Sequence, residues 1–233
     1  MEQICIPIRA RSLREAERQV LLAKRKLAER KVRKAPLMRV YFEIWLDAFL
    51  PEDMEHPFQA LVKLCGVPVI AVCRGRVPHG SFVGSETVSG ERLLEAIRGG
   101  AKFVDVGVQT SPKLIREVKK QCKARGAKLI LSKHFWTSTP EISLLVATAQ
   151  KARAQGADIV KIAAFTRRWS DNAVLFELTV RLHEKKIPCI VVGMGEKGKI
   201  SRIGCPLLGS VLTYVALDEA SRTAPGQLVL RDF

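Results

Sequence analysis

The segment FVDVGVQTSPKLIREVKKQCKARGAKLILSKH, residues 103–134, decides the fold. Phe103 to Val108 is short, apolar and rich in β-branched residues, which suits a strand. Pro112 to Arg125 mixes charged and apolar residues over a longer stretch and stops at Gly126, which suits a helix. Lys128 to Ser132 is a second apolar strand. Two nearly continuous apolar strands joined through a helix predict parallel pairing in a sheet covered by helices.

The same alternation extends in both directions. Upstream, Gln3 to Arg9 reads as a strand, Ser12 to Arg30 as a helix, and Leu37 to Leu46 and Gly66 to Cys73 as strands. A turn-rich segment then runs to Gly84, and Ser89 to Arg98 is a helix stopped by Gly99-Gly100. Downstream, Pro140 to Ala154 is a helix closed by Gly156, Asp158 to Ala163 a strand, Asn172 to Glu184 a helix and Ile187 to Val192 a strand. Gly193 to Gly204 reads mostly as loop with a helical turn after Lys199, and Ser210 to Leu217 is the last strand.

Eight strands, most followed by a helix, predict an α/β chain forming one domain over residues 1–233, a (β/α)8 TIM barrel. A doubly wound open sheet is the competing fold. No G-x-G-x-x-G follows the first strand, which weakens its dinucleotide-binding form. Leu228 to Phe233 are too few for a full eighth helix. The sequence therefore predicts a short or truncated C-terminal helix, or the N-terminal part of a longer fusion.

Composition narrows the function classes. Lys and Arg number 39 against 23 Asp and Glu, a formal net charge of +16, which suits an anionic partner. The densest basic run, Arg9 to Lys34, is interleaved by Leu21, Leu22, Leu27 and Val32 at helical spacing. It reads as the solvated face of an amphipathic helix. No nucleic-acid motif accompanies the charge, so nucleic acid is not the expected partner. No apolar run approaches the ~20 residues of a membrane span, and the N-terminus lacks signal-peptide features. The expectation is a cytoplasmic protein with no membrane association. Cys5, Cys65, Cys73, Cys122, Cys189 and Cys205 include no C-x-x-C pair and lie mostly in apolar stretches. They read as buried thiols rather than metal ligands.

In such a barrel chemistry gathers at the C-terminal ends of the strands. The polar residues there are Glu43 and Asp47 after the second strand, Arg74 after the third, His134 after the fifth, Lys161 within the sixth, Ser201-Arg202 after the seventh, and Thr223 and Gln227 after the eighth. Lys161 lies inside Gly156-Ala-Asp-Ile-Val-Lys-Ile-Ala-Ala164, an apolar strand. Burial disfavours an ammonium, and a neutral amine attacks a ketone to form an imine. The plainer alternative is a lysine snorkelling to solvent. His134 offers proton transfer near neutrality, against a structural role at a strand end. Arg202 follows a glycine-rich loop and suits a carboxylate or a phosphate. Arg74 adds a second anion contact or a surface ion pair.

In order along the chain, these segments resemble type I 3-dehydroquinate dehydratase. They are Phe42-Glu43 with Asp47, Cys73-Arg74, Phe103-Val-Asp-Val106, Ser132 with His134 and Thr139-Pro140, Gly156 to Ala163, Met194-Gly195 with Ser201-Arg202, Gly209-Ser210 and Ala224-Pro-Gly-Gln227. The resemblance implies a (β/α)8 barrel of the shikimate pathway, a homodimer that needs no metal or organic cofactor and in some members is fused to shikimate dehydrogenase. It implies that Lys161 forms the imine with 3-dehydroquinate and His134 moves the proton. Arg202 would hold the substrate carboxylate, and Glu43, Arg74, Thr223 and Gln227 would bind the rest. Four positions depart from the family pattern. Trp45 stands for an arginine, Pro78 for the glutamate that supports the histidine, Lys133 for an aromatic residue, and Thr223 for a serine. Arg76, His79 and Glu86 are candidates to replace the missing acid. A specificity-shifted or weakened barrel binding a small carboxylate is the alternative these departures raise.

Overall fold

The computed structural model describes residues 3–32, 39–49, 58–74 and 84–232. Along them run β1 (Gln3–Ile8), α1 (Leu13–Val32), β2 (Arg39–Trp45), α2 (Phe58–Cys65), β3 (Val69–Val72), α3 (Glu86–Arg98), β4 (Phe103–Gly107), α4 (Pro112–Arg125) and β5 (Lys128–Phe135). They continue as α5 (Ile142–Ala154), β6 (Ile159–Phe165), α6 (Asp171–Glu184), β7 (Cys189–Met194), α7 (Lys199–Leu207), β8 (Thr213–Ala216) and β9 (Leu228–Val229).

The strands follow the order β7-β6-β5-β4-β3-β2-β1-β8-β9, and every pairing is parallel. The sheet curls until β7 meets the approach to β8. There Cys189 bridges to Ser210 and the Val211 N–H donates to the Cys189 carbonyl at 2.8 Å. Higher on the same seam β9 lies along β8, and the Gly195 N–H donates to the Pro225 carbonyl at 3.0 Å. The expected barrel is thus the fold.

Two cores follow from the strand period of two. Val160, Ile162 and Ala164 of β6 face the helix layer and join a large outer cluster with residues such as Leu145 and Leu175. Ile159 and Ala163 of the same strand join Tyr41, Ile70, Ile130, Ile190, Val192 and Tyr214 in a smaller cluster inside the barrel. Lys161 shares the parity of Ile159 and Ala163, so the strand itself drives its side chain into the interior.

Four local expectations change. Helix α2 is additional; its apolar residues Phe58, Leu61 and Cys65 are buried at i, i+3 and i+7 spacing. The helical turn expected after Lys199 extends as helix α7 to Leu207, through Gly204 and Pro206. Its start is pinned where Ser201 Oγ accepts the Gly193 N–H and donates to the Gly198 carbonyl, both at 2.7 Å. Leu228 to Asp232 form a short strand and a 3-10 turn. In α1 the buried seam is Ala16, Val20 and Ala23, whereas Leu21 is exposed. Small residues let α1 lie close to the sheet. All six cysteines are buried and none is in a disulfide. No helix among the described residues is long and apolar enough to cross a membrane.

Candidate active site

The upper end of the barrel holds a pocket of about 550 Å³, counted out to its open mouth. Glu43, Arg74, His134, Lys161, Arg202, Thr223 and Gln227 all line it, together with Trp45, Trp136, Met194 and Tyr214. The seven site residues expected from sequence are therefore brought together. Asp47 is buried in the turn after β2 and does not line this pocket. Arg76, Pro78, His79 and His56 lie outside the described residues.

Lys161 is buried and held from three sides. Its Nζ donates to Asp105 Oδ2 at 2.7 Å, to Tyr214 OH at 2.8 Å and to Glu43 Oε1 at 3.0 Å. The elements explain the convergence. Glu43 follows Tyr41 on the interior face of β2, Asp105 pairs with Val72 in the β3–β4 register, and Lys161 pairs with Ser132 across β5–β6. A buried ammonium without counter-charges would cost several kcal/mol, and the two carboxylates meet that requirement. Burial pushes the Asp105 carboxyl upward, but the charges of Lys161 and Arg74, with the Lys161 hydrogen bond, outweigh it and hold it at about 2. Asp105 Oδ1 is buried with no hydrogen-bond partner among the described residues. Burial, with Glu43 next, raises the Tyr214 phenol well above its ordinary value, so it stays protonated.

His134 sits two residues beyond Ser132 and pairs with Ala163 in the β5–β6 register. Its ring stacks on Trp136, with centroids 5.1 Å apart at 16°. Arg74 Nη1 is 3.1 Å from His134 Nε2. A guanidinium only donates, so Nε2 accepts and the ring is neutral with its proton on Nδ1. Burial first, then the charges of Arg74 and Lys161, pull the imidazole well below its ordinary value. Glu86 does not serve His134. Its carboxylate accepts the Ser111 N–H at 3.1 Å, although it and His134 both line a second cavity beside the first.

A second side of the pocket comes from α7 and the loop after β8. Arg202 is buried, with one NH group 3.5 Å from the Pro225 carbonyl and Nε without an acceptor among the described residues. Burial lowers its guanidinium to about 10, still charged at neutral pH. The Thr223 N–H and hydroxyl both donate to Gln227 Oε1, at 2.8 and 3.2 Å. This spends the amide oxygen inside the loop and leaves the amide NH2 for the pocket. The loop reaches the pocket through Gly226, whose φ is +71° and whose Cα faces the Gly195 carbonyl so closely that a Cβ would overlap it.

Three contributors do not stand out in the sequence as site residues. Asp105 appears there only as part of a matching segment, and Tyr214 and Trp136 carry no signal of their own. Trp45 is a departure from the family pattern, and in the structure its indole N–H donates to Glu43 Oε2 at 2.8 Å. The arrangement pairs a buried primary amine with a neutral imidazole and a buried guanidinium, in a pocket partly closed by aromatic rings. It can form an imine with a ketone and move a proton beside it.

Comparison with known proteins agrees. The family model described as type I 3-dehydroquinase matches residues 4–233. A 3-dehydroquinate dehydratase of Dehalococcoides mccartyi is 36% identical over 190 residues, 82% of this chain and 81% of that protein. The bifunctional 3-dehydroquinate dehydratase/shikimate dehydrogenase of Arabidopsis thaliana is 32% identical over 81% of this chain and 30% of its own length. The crystal structure of 3-dehydroquinate dehydratase from Geobacillus kaustophilus superposes with a TM-score of 0.87, covering 100% of this chain and 88% of that one at 24% identity.

Proposed function

We infer the chemistry of this pocket from one premise: the chain belongs to the type I 3-dehydroquinase family. It is a hydro-lyase that converts 3-dehydroquinate to 3-dehydroshikimate and water, a step of the shikimate pathway. The observation that carries the residue roles is Lys161, a primary amine buried in the barrel and facing the same pocket as His134 and Arg202.

In this reading Lys161 Nζ first passes a proton to the neutral His134 and attacks the C3 ketone; the former ketone oxygen takes that proton back and leaves as water to give a protonated imine. The imine draws electrons from C2, and His134 takes the C2 proton to leave an enamine. The enamine expels the C1 hydroxyl as His134 returns the proton, so water leaves and a conjugated imine remains. A second water releases 3-dehydroshikimate and restores the amine. Glu43 and Asp105 keep their charges beside an imine that carries the charge of the original ammonium, so the surrounding groups need not reorganise. The neutral state of His134 is what a base requires. Arg74 holds the lone pair on Nε2, so the substrate's own oxygens must take over that N–H donor while the guanidinium keeps its place over the Trp45 ring.

Arg202 takes the substrate carboxylate through a fork of donors. Thr223 and the Gln227 amide bind at the same side, and Glu43 and Arg74 contact ring hydroxyls. A homodimer belongs to the same reading. The exposed Ile200, Ile203 and Leu207 along α7 support a protein contact there, and sedimentation at twice the mass of the chain is the expected result.

Borohydride added with 3-dehydroquinate tests the central claim. The intact protein should gain the mass of the reduced substrate on the peptide that contains Lys161. The reading fails if the wild type gains nothing, or if Lys161→Ala is labelled as fully.

A further inference from the structure

Trp45 links the two halves of the site. It is buried at the end of β2, two residues beyond Glu43 and on the same strand face. Its indole N–H donates to Glu43 Oε2 at 2.8 Å, while Lys161 Nζ donates to Oε1 of the same carboxylate at 3.0 Å. Both oxygens of Glu43 are thereby held, one by the amine and the other by the indole. A carboxylate gripped at one oxygen swings about its last torsion; gripped at both, it does not. The ring face does separate work. The Arg74 guanidinium carbon stands 4.7 Å from the Trp45 ring centroid, and Arg9 lies at 5.3 Å. Stacking fixes the plane of a side chain that otherwise samples many rotamers, and Arg74 is the residue whose Nη1 reaches His134 Nε2 at 3.1 Å.

We propose that Trp45 is a positioning residue for the dehydration, its N–H fixing Glu43 against Lys161 and its face fixing Arg74 against His134. The proposal rests on the roles assigned above to Lys161 and His134. A neutral ring suits both duties. The arginine of the family pattern would pair with Glu43 but bring a second cation beside Arg74, and an aliphatic side chain would do neither duty.

The two duties separate by substitution. Trp45→Phe keeps a face and loses the N–H; Trp45→Leu loses both. His134 is faced by Arg74 from the end of β3, Lys161 of β6, Asp105 of β4 and Lys133 of its own strand. Releasing Arg74 removes a positive charge and moves the His134 titration upward.

The first measurement needs no turnover: the ring-proton NMR titration of His134 in the resting protein. Trp45→Phe should leave it in place, and Trp45→Leu should raise it by roughly one pH unit. The second is borohydride trapping and steady-state turnover with 3-dehydroquinate. Trp45→Phe should slow trapping and lower kcat on the order of tenfold, the loss of one hydrogen bond to a charged group, with KM little changed. In a Glu43→Gln background the same substitution should cost less than about twofold, because its acceptor is no longer charged. An unchanged His134 titration in Trp45→Leu overturns the face role. An equal kcat loss in the wild-type and Glu43→Gln backgrounds overturns the N–H role. If the wild type forms no adduct, the imine reading falls, while the titration still decides whether Trp45 sets Arg74.

Discussion

Replacing Asp105 by asparagine tests whether the lysine is held by charge. The carboxyl is buried, 2.7 Å from Lys161 Nζ, and its pKa drops from 3.8 to about 2 in the folded chain. At about 1.4 kcal/mol per pH unit, the ionised carboxylate contributes roughly 2 kcal/mol of stability at neutral pH. The sign is that of a depressed acid. The contribution is complete above the unfolded value near 4 and is lost as the pH falls through the folded value near 2. About half of it remains at pH 3. The amide of the Asp105→Asn variant would keep the shape and a weaker acceptor, and Lys161 would keep Glu43 and Tyr214. The expected loss is therefore about 2 kcal/mol rather than the ~3–5 kcal/mol of an abandoned buried charge. For a chain of this size that corresponds to roughly 4–8 °C in Tm. Denaturant unfolding of wild type and Asp105→Asn at pH 7, 5, 4 and 3 would read it. The two stabilities should differ by about 2 kcal/mol at pH 7 and by about half that at pH 3. A difference that stays constant across this range would mean that the carboxylate charge does not hold Lys161, and the electrostatic account of the site would be wrong.

Four further outcomes follow from the same geometry. His134, buried beside Arg74, has a folded pKa below its ordinary value, so the acid limb of kcat/KM should lie below pH 6.5; a limb at or above that pH refutes the neutral base. Because the folded state resists protonating this ring, its burial costs stability as the pH falls below 6.5, and His134→Asn should lose less stability than the wild type between pH 7 and 5 in thermal melts. Arg202→Met removes a buried cation whose Nε has no acceptor among the described residues, so Tm should change little while KM for 3-dehydroquinate rises about 100-fold, the loss of a charged two-point contact; a large Tm loss with unchanged KM contradicts its binding role. Gly226→Ala puts a Cβ against the Gly195 carbonyl at a positive φ and should displace Thr223 and Gln227, raising KM about tenfold or more while saturating substrate still traps Lys161 under borohydride.

Much of the fold was legible because a parallel strand writes its burial into the sequence as unbroken apolar runs. Helix α7 was legible only as its first turn. Gly204 and Pro206 argue locally against the rest, and its reasons are tertiary. Gly204 lies where a Cβ would strike the Phe176 ring, and Ser201 ties the helix start to β7. The site was legible in its cations and its histidine, which stand out against apolar strands. Its internal wiring was not. Asp105 carries the same signal as Lys161, a lone charge within an apolar strand. A buried lysine demands a counter-charge, and the strand period places Asp105 and Glu43 on the interior face. That deduction was open from the sequence. The role of Trp45 was not, because a substituted residue announces a change without saying which side chains the new ring touches.

The charges around the imine position explain how one pocket serves every step. Among the described residues, Lys161, Arg74 and Arg202 bring three positive charges to it, and Glu43 and Asp105 bring two negative ones. With His134 neutral the sum is one excess positive charge, which a substrate with a single carboxylate cancels. The protonated imine carries the charge of the ammonium it replaces, so the balance survives that step. In the proposed mechanism it shifts when His134 takes the C2 proton, and then the enamine nitrogen gives up its positive charge as the imidazole gains one. Charge moves from beside Glu43 and Asp105 to beside Arg74, the residue that stabilises His134 as a base and opposes it as an acid. The returning proton is therefore driven off His134 towards the departing hydroxyl. On the proposed roles, holding Arg74 at its distance sets how strongly the second half of the reaction is pushed, and that hold is shared by the face of Trp45, 4.7 Å from the guanidinium carbon, and Glu43 Oε1, 3.9 Å from Nη2.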